Sequence, residues 1–167
     1  MITHAPYCPA PEAWRTIGQP PPDGRTTRYL QSEFKAYRTR PETLGDDHLQ
    51  ALNLLYDACV ATFDRLCAHV AGLVEKYLGW DDTLLVITSD HGQNLGDHGL
   101  VSHWLCLFDT LVRVPLLVLP RRDSACPRKV THVAQQSDLF HTLLDEAGVR
   151  GHQERSLLSR AAGRSPR

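Results

Sequence analysis

The chain contains 167 residues, of which 42% are hydrophobic and 22% charged, and this is typical of a globular protein with a sizeable core. Its formal net charge of −1 at pH 7 argues against nucleic acid or an acidic membrane surface as a general electrostatic partner. The sequence has no apolar run of about 18 residues and no signal segment at its start, so we expect a cytoplasmic protein that does not cross a membrane.

The first predicted element is a proline-rich loop over residues 5–24, which includes the run Pro20–Pro22. Proline has no N–H to donate and fixes its own φ, so this composition argues against a continuous helix or a central strand. Tyr7 and Trp14 supply large side chains that favour an ordered loop packed over a domain.

A long amphipathic helix is predicted over about residues 46–78. Its apolar side chains recur at steps of three or four residues, which places them on one face. Gly79 follows at once and is typical of a residue that ends a helix in the left-handed conformation. The apolar positions are Leu49, Leu52, Leu55, Cys59, Phe63, Leu66, Val70, Leu73 and Tyr77.

A strand and a loop that carry the candidate site are predicted over residues 83–103. The apolar run from Thr83 ends at Asp90, His91 and Gly92, which indicates a buried parallel strand that leads into a site. Side chains at the carboxyl ends of such strands converge on the crevice where α/β proteins bind ligands. Because a carboxylate beside a neutral imidazole suits a divalent metal, Asp90 and His91 are the predicted metal ligands.

The same triplet of residue types recurs shortly afterwards as Asp97, His98 and Gly99. Two interpretations stay open. The second triplet either supplies a direct ligand or braces the loop from behind the ligands.

The later elements complete an α/β pattern. A second buried strand is predicted from Leu116, and a helix is predicted to begin near Ser137. A helix, a short link and a buried strand form an αβ unit, which implies a parallel sheet. Residues 1–150 are therefore expected to form one domain, and residues 151–167 an Arg-rich, flexible tail.

Several segments of the chain together carry a family resemblance. They are His4–Pro9, Tyr56–Asp64, Thr88–Gly92, Leu95–Leu100, Arg113–Leu116 and Asp138–Leu144. In this order they resemble the C-terminal part of the catalytic domain of the sulfatase family, which lies within the alkaline phosphatase superfamily. Asp-His-Gly alone would be a weak signal because it recurs across that superfamily, whereas the ordered set is specific.

The resemblance implies a hydrolase that acts on sulfate esters with a divalent metal. By position, Asp90 and His91 match a metal-binding pair, whereas His4 and His103 match residues that contact the sulfate group. Ca²⁺ is the leading expectation, with Mg²⁺ as a second oxygen-seeking ion, and the nitrogen of His91 also admits Mn²⁺ or Zn²⁺. The expected partner is a small sulfate ester or a sulfated glycan.

The sequence also departs from the family pattern. It contains no counterpart of the N-terminal strand with its early aspartate pair, and no Cys/Ser-x-Pro-Ser-Arg motif from which formylglycine is made. No catalytic residue is therefore assigned in this chain. The expected fold is a partial, alkaline-phosphatase-like doubly wound sheet without its N-terminal strands, inactive alone and prone to oligomerise through an exposed sheet edge.

Two other functions fit the same residues. A phosphodiesterase or phosphonate hydrolase of the same superfamily is the first, because phosphoryl and sulfuryl groups share shape and charge. The second is a non-catalytic remnant that keeps the fold without the chemistry.

Overall fold

The computed structural model describes residues 3–32, 39–104, 106–122, 131, 133–152 and 154–162. The chain divides into two compact units. The first contains residues 1–79 and 87–117, and the second contains residues 80–86 and 118–167. None of the helices in the described ranges has the length and apolar character needed to span a lipid bilayer.

Helix α3 (Asp46–Leu73) is the framework of the first unit. Asp46 and Asp47 lie in its first turn, where negative charge interacts favourably with the helix dipole. The helix predicted over about 46–78 continues beyond Leu73 as a π-helix, Val74–Leu78, and Gly79 then ends it at φ 76° by donating its N–H to the Val74 carbonyl at 2.8 Å. The buried face of α3 consists of Ala51, Leu52, Leu55, Ala58, Cys59 and Ala61.

The N-terminal segment packs on this buried face. The segment predicted to be an extended loop over residues 5–24 contains a short helix, α1 (Ala13–Ile17), whose Ala13 packs with Ala58 and Ala61 of α3. A proline-rich sequence accommodates this helix because the prolines lie outside it. Helix α2 (Gly24–Ser32) follows, and its Leu30 is buried in the main core.

The described strands are short. They are β1 (Leu85–Thr88), β2 (Asn94–Leu95), β3 (Val101–Ser102) and β4 (Leu116–Leu119). β1 pairs with β4, and β2 pairs antiparallel with β3. Helix and small sheets are thus mixed as in an α/β sulfatase domain, whereas the doubly wound sheet and its parallel order stay predictions. A short helix, α4 (Asp109–Val112), precedes β4.

The expectation of fully buried strands is wrong for the described residues. β1 ranges from partly buried to exposed along its length, and Leu117 of β4 is 51% exposed. In a two-stranded sheet both strands are edges, so apolar side chains lack neighbours on at least one side. β1 also begins at Leu85, later than the predicted start at Thr83.

The second unit contains helices α5 (Gln136–Glu146) and α6 (Leu157–Ala161). The N-cap of α5 is Gln135 rather than Ser137, and Asp138 completes a reciprocal capping box by accepting from the Gln135 N–H at 3.0 Å. Residues 151–167, expected as a flexible tail, include α6, whose Leu158 is buried; residues 163–167 lie outside the described ranges.

Candidate functional site

Three histidines from distant parts of the sequence meet in the first unit. One ring nitrogen from each of His4, His91 and His103 lies within 4.8 Å of the others. The rings of His91 and His103 stack with centroids 4.3 Å apart, and the His4 ring lies 5.0 Å from His103 and 6.0 Å from His91. All three side chains are partly buried, so the cluster combines a preformed arrangement with access from solvent.

His91 is placed by the turn that follows β1. The next residue, Gly92, lies against helix α4, and its N–H donates to the Leu111 carbonyl at 2.8 Å. A Cβ at Gly92 would come 2.0 Å from the Thr110 carbonyl oxygen, a distance that real Cβ atoms essentially never show. The glycine of Asp-His-Gly is therefore required by this close backbone approach.

His103 is placed by the β2–β3 hairpin. Asn94 faces Ser102 in its register, and Ser102 has a positive φ of 71°, which is uncommon for a residue other than glycine and turns the chain toward the site. Asn94 is fully buried and accepts a hydrogen bond from the Thr110 hydroxyl at 2.5 Å. The hairpin is thereby tied to the same helix that Gly92 contacts.

His4 is placed by the segment that follows it. Tyr7 is buried, and its ring packs edge-on against Tyr56 of α3 with centroids 5.5 Å apart. The Gln31 amide of α2 donates to the Tyr7 carbonyl at 2.8 Å. The buried aromatic ring thus anchors the N-terminal segment on the helices and leaves His4 beside the other two imidazoles.

Local hydrogen bonds place a proton on Nδ1 of two of these rings. Nδ1 of His4 lies 2.6 Å from the Ala5 carbonyl oxygen, and Nδ1 of His91 lies 2.8 Å from the Gly92 carbonyl oxygen. A carbonyl oxygen only accepts, so each Nδ1 carries a proton and each Nε2 faces away from this hydrogen bond. Nδ1 of His103 lies 3.4 Å from the Gln93 amide oxygen and 3.3 Å from the Ser102 hydroxyl, which can donate or accept.

Asp90 lies at the edge of the cluster. Its side chain is 67% exposed, and its Oδ1 is 3.8 Å from Nε2 of His91 and accepts from the His91 backbone N–H at 3.1 Å. Desolvation raises the pKa of Asp90, but the charge of His91 and hydrogen bonds from the Asp90 and His91 backbone and from Ser89 outweigh it, so the pKa is lowered overall. The carboxylate is therefore ionised at neutral pH and available to a cation.

The second triplet has a bracing geometry. The Asp97 carboxylate accepts from the Leu95 N–H at 3.1 Å, and the His98 ring stacks on Phe108 with centroids 3.9 Å apart. Both contacts hold the hairpin loop. Among the described residues, neither side chain belongs to the three-histidine group.

Three of the four residues predicted for the site therefore form one group, His4, His91 and His103, and Asp90 lies at its edge beside His91. Their roles, metal binding for Asp90 and His91 and sulfate contact for His4 and His103, stay predictions.

The sequence reasoning missed Gln93, Ser102 and Trp104. The Trp104 ring continues the imidazole stack at 6.3 Å from His103 and is 48% exposed. Its position next to a predicted site residue was the signal that could have identified it.

Comparisons with known proteins bear on the family of the chain. A family model described as Sulfatase matches residues 3–149. The Multifunctional alkaline phosphatase superfamily protein PehA of Trinickia caryophylli is 28% identical over 110 residues, which are 64% of this chain and 21% of the relative.

Two further relatives differ in the chemistry that their names state. Iduronate 2-sulfatase of Mus musculus is 28% identical over 112 residues, 66% of this chain and 20% of the relative. Phosphoethanolamine transferase EptA of Salmonella typhimurium is 31% identical over 107 residues, 56% of this chain and 20% of the relative. The matched region is thus about a fifth of the length of each of these proteins.

Proposed function

The chain belongs to the sulfatase family, and on that basis we propose that its histidine cluster binds the sulfate group of a sulfate ester in a hydrolase that works with a divalent metal. The observation that carries the proposal is the meeting of His4 and His103 with His91 at the end of β1. These are the positions at which the family resemblance implies sulfate contact and metal binding.

Sulfate binding would fall to His4 and His103. A doubly protonated imidazole donates from both ring nitrogens, so Nε2 of His4 can donate to a sulfate oxygen while Nδ1 keeps its contact with the Ala5 carbonyl, and His103 can donate in the same form. Their partial burial strengthens such contacts relative to bulk water. The stacked Trp104 ring adds a flat, half-exposed surface beside His103, which suits a cyclic alcohol such as a sugar or an aryl group.

The metal would be held by Asp90 and His91. An ionised carboxylate oxygen 3.8 Å from an imidazole nitrogen offers two donors on one side of the turn, a fit for a divalent cation in charge and in chemistry. When bound, such a cation polarises sulfate oxygens and stabilises charge that develops on them. Within this chain, the contribution of Asp90 and His91 is to hold the cation beside the group that His4 and His103 orient.

The proposal is tested by titrating the chain with inorganic sulfate and with 4-nitrophenyl sulfate and following affinity by calorimetry. We expect His4→Ala and His103→Ala each to weaken binding of both by about tenfold, since a hydrogen bond to a charged group contributes about 1.5 kcal/mol or more. His69→Ala, on the exposed side of α3, is the matched control and should bind normally. Equal affinity in all four proteins would contradict sulfate binding at this site.

Turnover is a separate question. Because the 167 residues contain no Cys/Ser-x-Pro-Ser-Arg motif, we expect no hydrolysis of 4-nitrophenyl sulfate by this chain alone in the presence of Ca²⁺, Mn²⁺ or Zn²⁺. Clear turnover that is lost in Asp90→Ala would show that the chain supplies its own nucleophile. Binding of neither metal nor sulfate would instead favour a non-catalytic remnant.

A second candidate is a phosphoryl-group hydrolase or transferase. Two relatives support it, since one is named for the alkaline phosphatase superfamily and another is a phosphoethanolamine transferase. Bis(4-nitrophenyl) phosphate tested beside 4-nitrophenyl sulfate distinguishes the two. Tighter binding of the phosphodiester, weakened by the same histidine variants, would favour the phosphoryl function over the sulfuryl one.

A further inference from the structure

The donor atoms of the cluster differ from those that calcium prefers. Ca²⁺ takes about six to eight oxygen ligands, whereas imidazole nitrogen suits zinc, copper, nickel and iron. The described residues bring three imidazoles together here, and the Asp90 carboxylate lies at the edge of this group, 3.8 Å from His91. The chemistry of this site thus disagrees with the oxygen-rich site expected from the family resemblance.

We propose that His4, His91 and His103 together bind one zinc-type divalent cation, and that these three residues make the chain prefer such a cation to Ca²⁺. This gives His4 and His103 a role as metal ligands through Nε2, which replaces direct donation from the same atoms to sulfate. The inference concerns the same cluster as the proposed function, but it holds whether or not a sulfate ester binds there.

The hydrogen bonds of the rings support ligation through Nε2. Histidines that bind metals in proteins almost always donate their other ring N–H to a carbonyl, a carboxylate or water, which fixes the tautomer and the ring orientation. His4 and His91 make such a contact with the Ala5 and Gly92 carbonyls at 2.6 and 2.8 Å. The carbonyl of the following residue thus occupies Nδ1 of each ring and leaves Nε2 for a metal, without help from a distant residue.

The distances between the imidazole nitrogens require the rings to move before all three can bind one ion. Zinc–nitrogen bonds of about 2.0–2.1 Å in a tetrahedral site put ligand nitrogens roughly 3.3 Å apart. The nitrogens here lie within 4.8 Å of one another, so the rings need to close by up to about 1.5 Å. The rings of His91 and His103 are stacked with centroids 4.3 Å apart, so they would also need to turn until both ring planes contain the ion.

The surroundings favour a cation at this position. The Asp90 carboxylate lies beside the ring of His91, with its Oδ1 3.8 Å from Nε2. A negative charge at that distance attracts a cation held by the same nitrogen. Three protein ligands are also the number that catalytic zinc sites commonly use, which leaves a position for water or substrate.

The experiment is a calorimetric titration of the metal-free full chain with ZnCl₂, MnCl₂ and CaCl₂ in turn. We expect one Zn²⁺ per chain at the cluster, bound at least tenfold more tightly than Ca²⁺. His4→Ala, His91→Ala and His103→Ala should each weaken Zn²⁺ binding at least about tenfold, since even changes to residues that only support ligands cost that much.

Two control variants separate the cluster from other histidines. His69→Ala removes an exposed histidine of α3, and His152→Ala removes one member of the pair in which Nδ1 of His141 and Nδ1 of His152 lie 3.0 Å apart. Both controls should retain the tight Zn²⁺ site. Circular dichroism of each variant establishes that its fold is intact.

A readout on the unchanged protein covers the case in which a variant does not fold. Co²⁺ in place of Zn²⁺ should give the intense visible absorption of a four-coordinate site rather than the weak absorption of a six-coordinate one. The proposal is overturned by Ca²⁺ affinity equal to or above that for Zn²⁺, by Zn²⁺ affinity unchanged in His4→Ala and His103→Ala, or by weak Co²⁺ absorption. Zinc binding without sulfate binding would contradict the proposed function alone, and sulfate binding without zinc binding would contradict this inference alone.

Discussion

At the scale of single residues, Gly92 lies directly against the backbone of helix α4. Its hypothetical Cβ would overlap the Thr110 carbonyl, and backbone cannot move aside as easily as a flexible side chain. Gly92→Ala should therefore destabilise the chain by about 1–3 kcal/mol, as other overpacking changes do. Urea unfolding monitored by circular dichroism measures this change.

The matched control for that variant is Gly72→Ala. Gly72 lies within helix α3, and a Cβ there meets nothing within 4 Å. Because alanine stabilises a helix interior relative to glycine, we expect this variant to gain about 0.5–1 kcal/mol. Equal effects of the two alanines would mean that the Gly92 contact with helix α4 is absent in solution.

Cys59 provides a prediction about pH. Burial raises the pKa of its thiol from an ordinary value of 9.0 to about 11, with a smaller raising effect from the Cys8 thiol and a lowering one from the Cys8 backbone. The folded chain therefore favours the protonated thiol, and this contribution to stability is present below about pH 9 and is lost as the pH rises toward about 11.

Cys59→Ala should remove this part of the pH dependence. The free energy of unfolding, measured with urea at pH 8 and again near pH 11, should fall less in Cys59→Ala than in the unchanged chain. Cys67→Ala, at a partly buried position of the same helix, serves as the control. Parallel pH dependence in the unchanged chain and in Cys59→Ala would contradict burial of the Cys59 thiol.

At the scale of elements, the β2–β3 hairpin depends on helix α3. The Asn53 side-chain amide donates to the Leu49 carbonyl within the helix and to the Leu95 carbonyl of β2, both at 2.8 Å. Asn53→Ala should cost about 1 kcal/mol and speed amide hydrogen exchange in the hairpin that carries His103. Gln50→Ala, on the exposed side of α3, should leave hairpin exchange unchanged.

Acceleration confined to α3 in Asn53→Ala would contradict this link between the helix and the hairpin. Acceleration in both Asn53→Ala and Gln50→Ala would instead indicate a general loss of helix stability.

Helix α6 lies in a segment whose Arg-rich composition predicted a flexible tail. Thr142 of α5 accepts a hydrogen bond from the Leu157 N–H at 2.9 Å, and Arg155 and Arg160 lie 3.5 and 3.6 Å from the largely buried Asp138 carboxylate. Asp138→Ala should remove both ion pairs and the capping contact at the start of α5. We expect limited proteolysis to begin within residues 151–162 of this variant, whereas the unchanged chain should resist cleavage there as long as α6 stays packed.

The elements that the sequence predicted well are those with strong local signals. The apolar period of α3 and the run that ends at Asp90 and His91 are local patterns, and helix and strand lie where these patterns are. The sequence did not predict helix α1, because the high proline density of residues 5–24 conceals the proline-free stretch 12–19 in which this helix lies. Burial of β1 was also misjudged, since burial depends on neighbours that no local pattern reveals.

At the scale of the whole molecule, the site is a product of long-range packing. The packing of Tyr7 on α3 positions His4, and the contact of Gly92 with α4 positions His91. The β2–β3 hairpin positions His103. The family resemblance brought these three positions to attention, but their mutual distances follow from contacts that lie far apart in the sequence. The positive φ of Ser102 is likewise visible only in the folded chain.

Exposed strands give a prediction about association. Because β1 and β4 form a two-stranded sheet and Leu117 is 51% exposed, the chain should associate through these strands at high concentration. Light scattering coupled to size-exclusion chromatography should show a mass above 18.7 kDa that falls on dilution. Leu117→Lys should shift the equilibrium toward the monomer, and a concentration-independent monomer in the unchanged chain would contradict the prediction.

The central claim is that three imidazoles form one ligand-binding cluster, and imidazole NMR tests it most directly. Long-range ¹H–¹⁵N spectra should show His4 and His91 in the tautomer with the proton on Nδ1. Addition of 4-nitrophenyl sulfate should shift the His4, His91 and His103 signals together, with one common affinity, while His69 stays unchanged. Independent shifts with different affinities, or the proton on Nε2 of His4 and His91, would contradict the account.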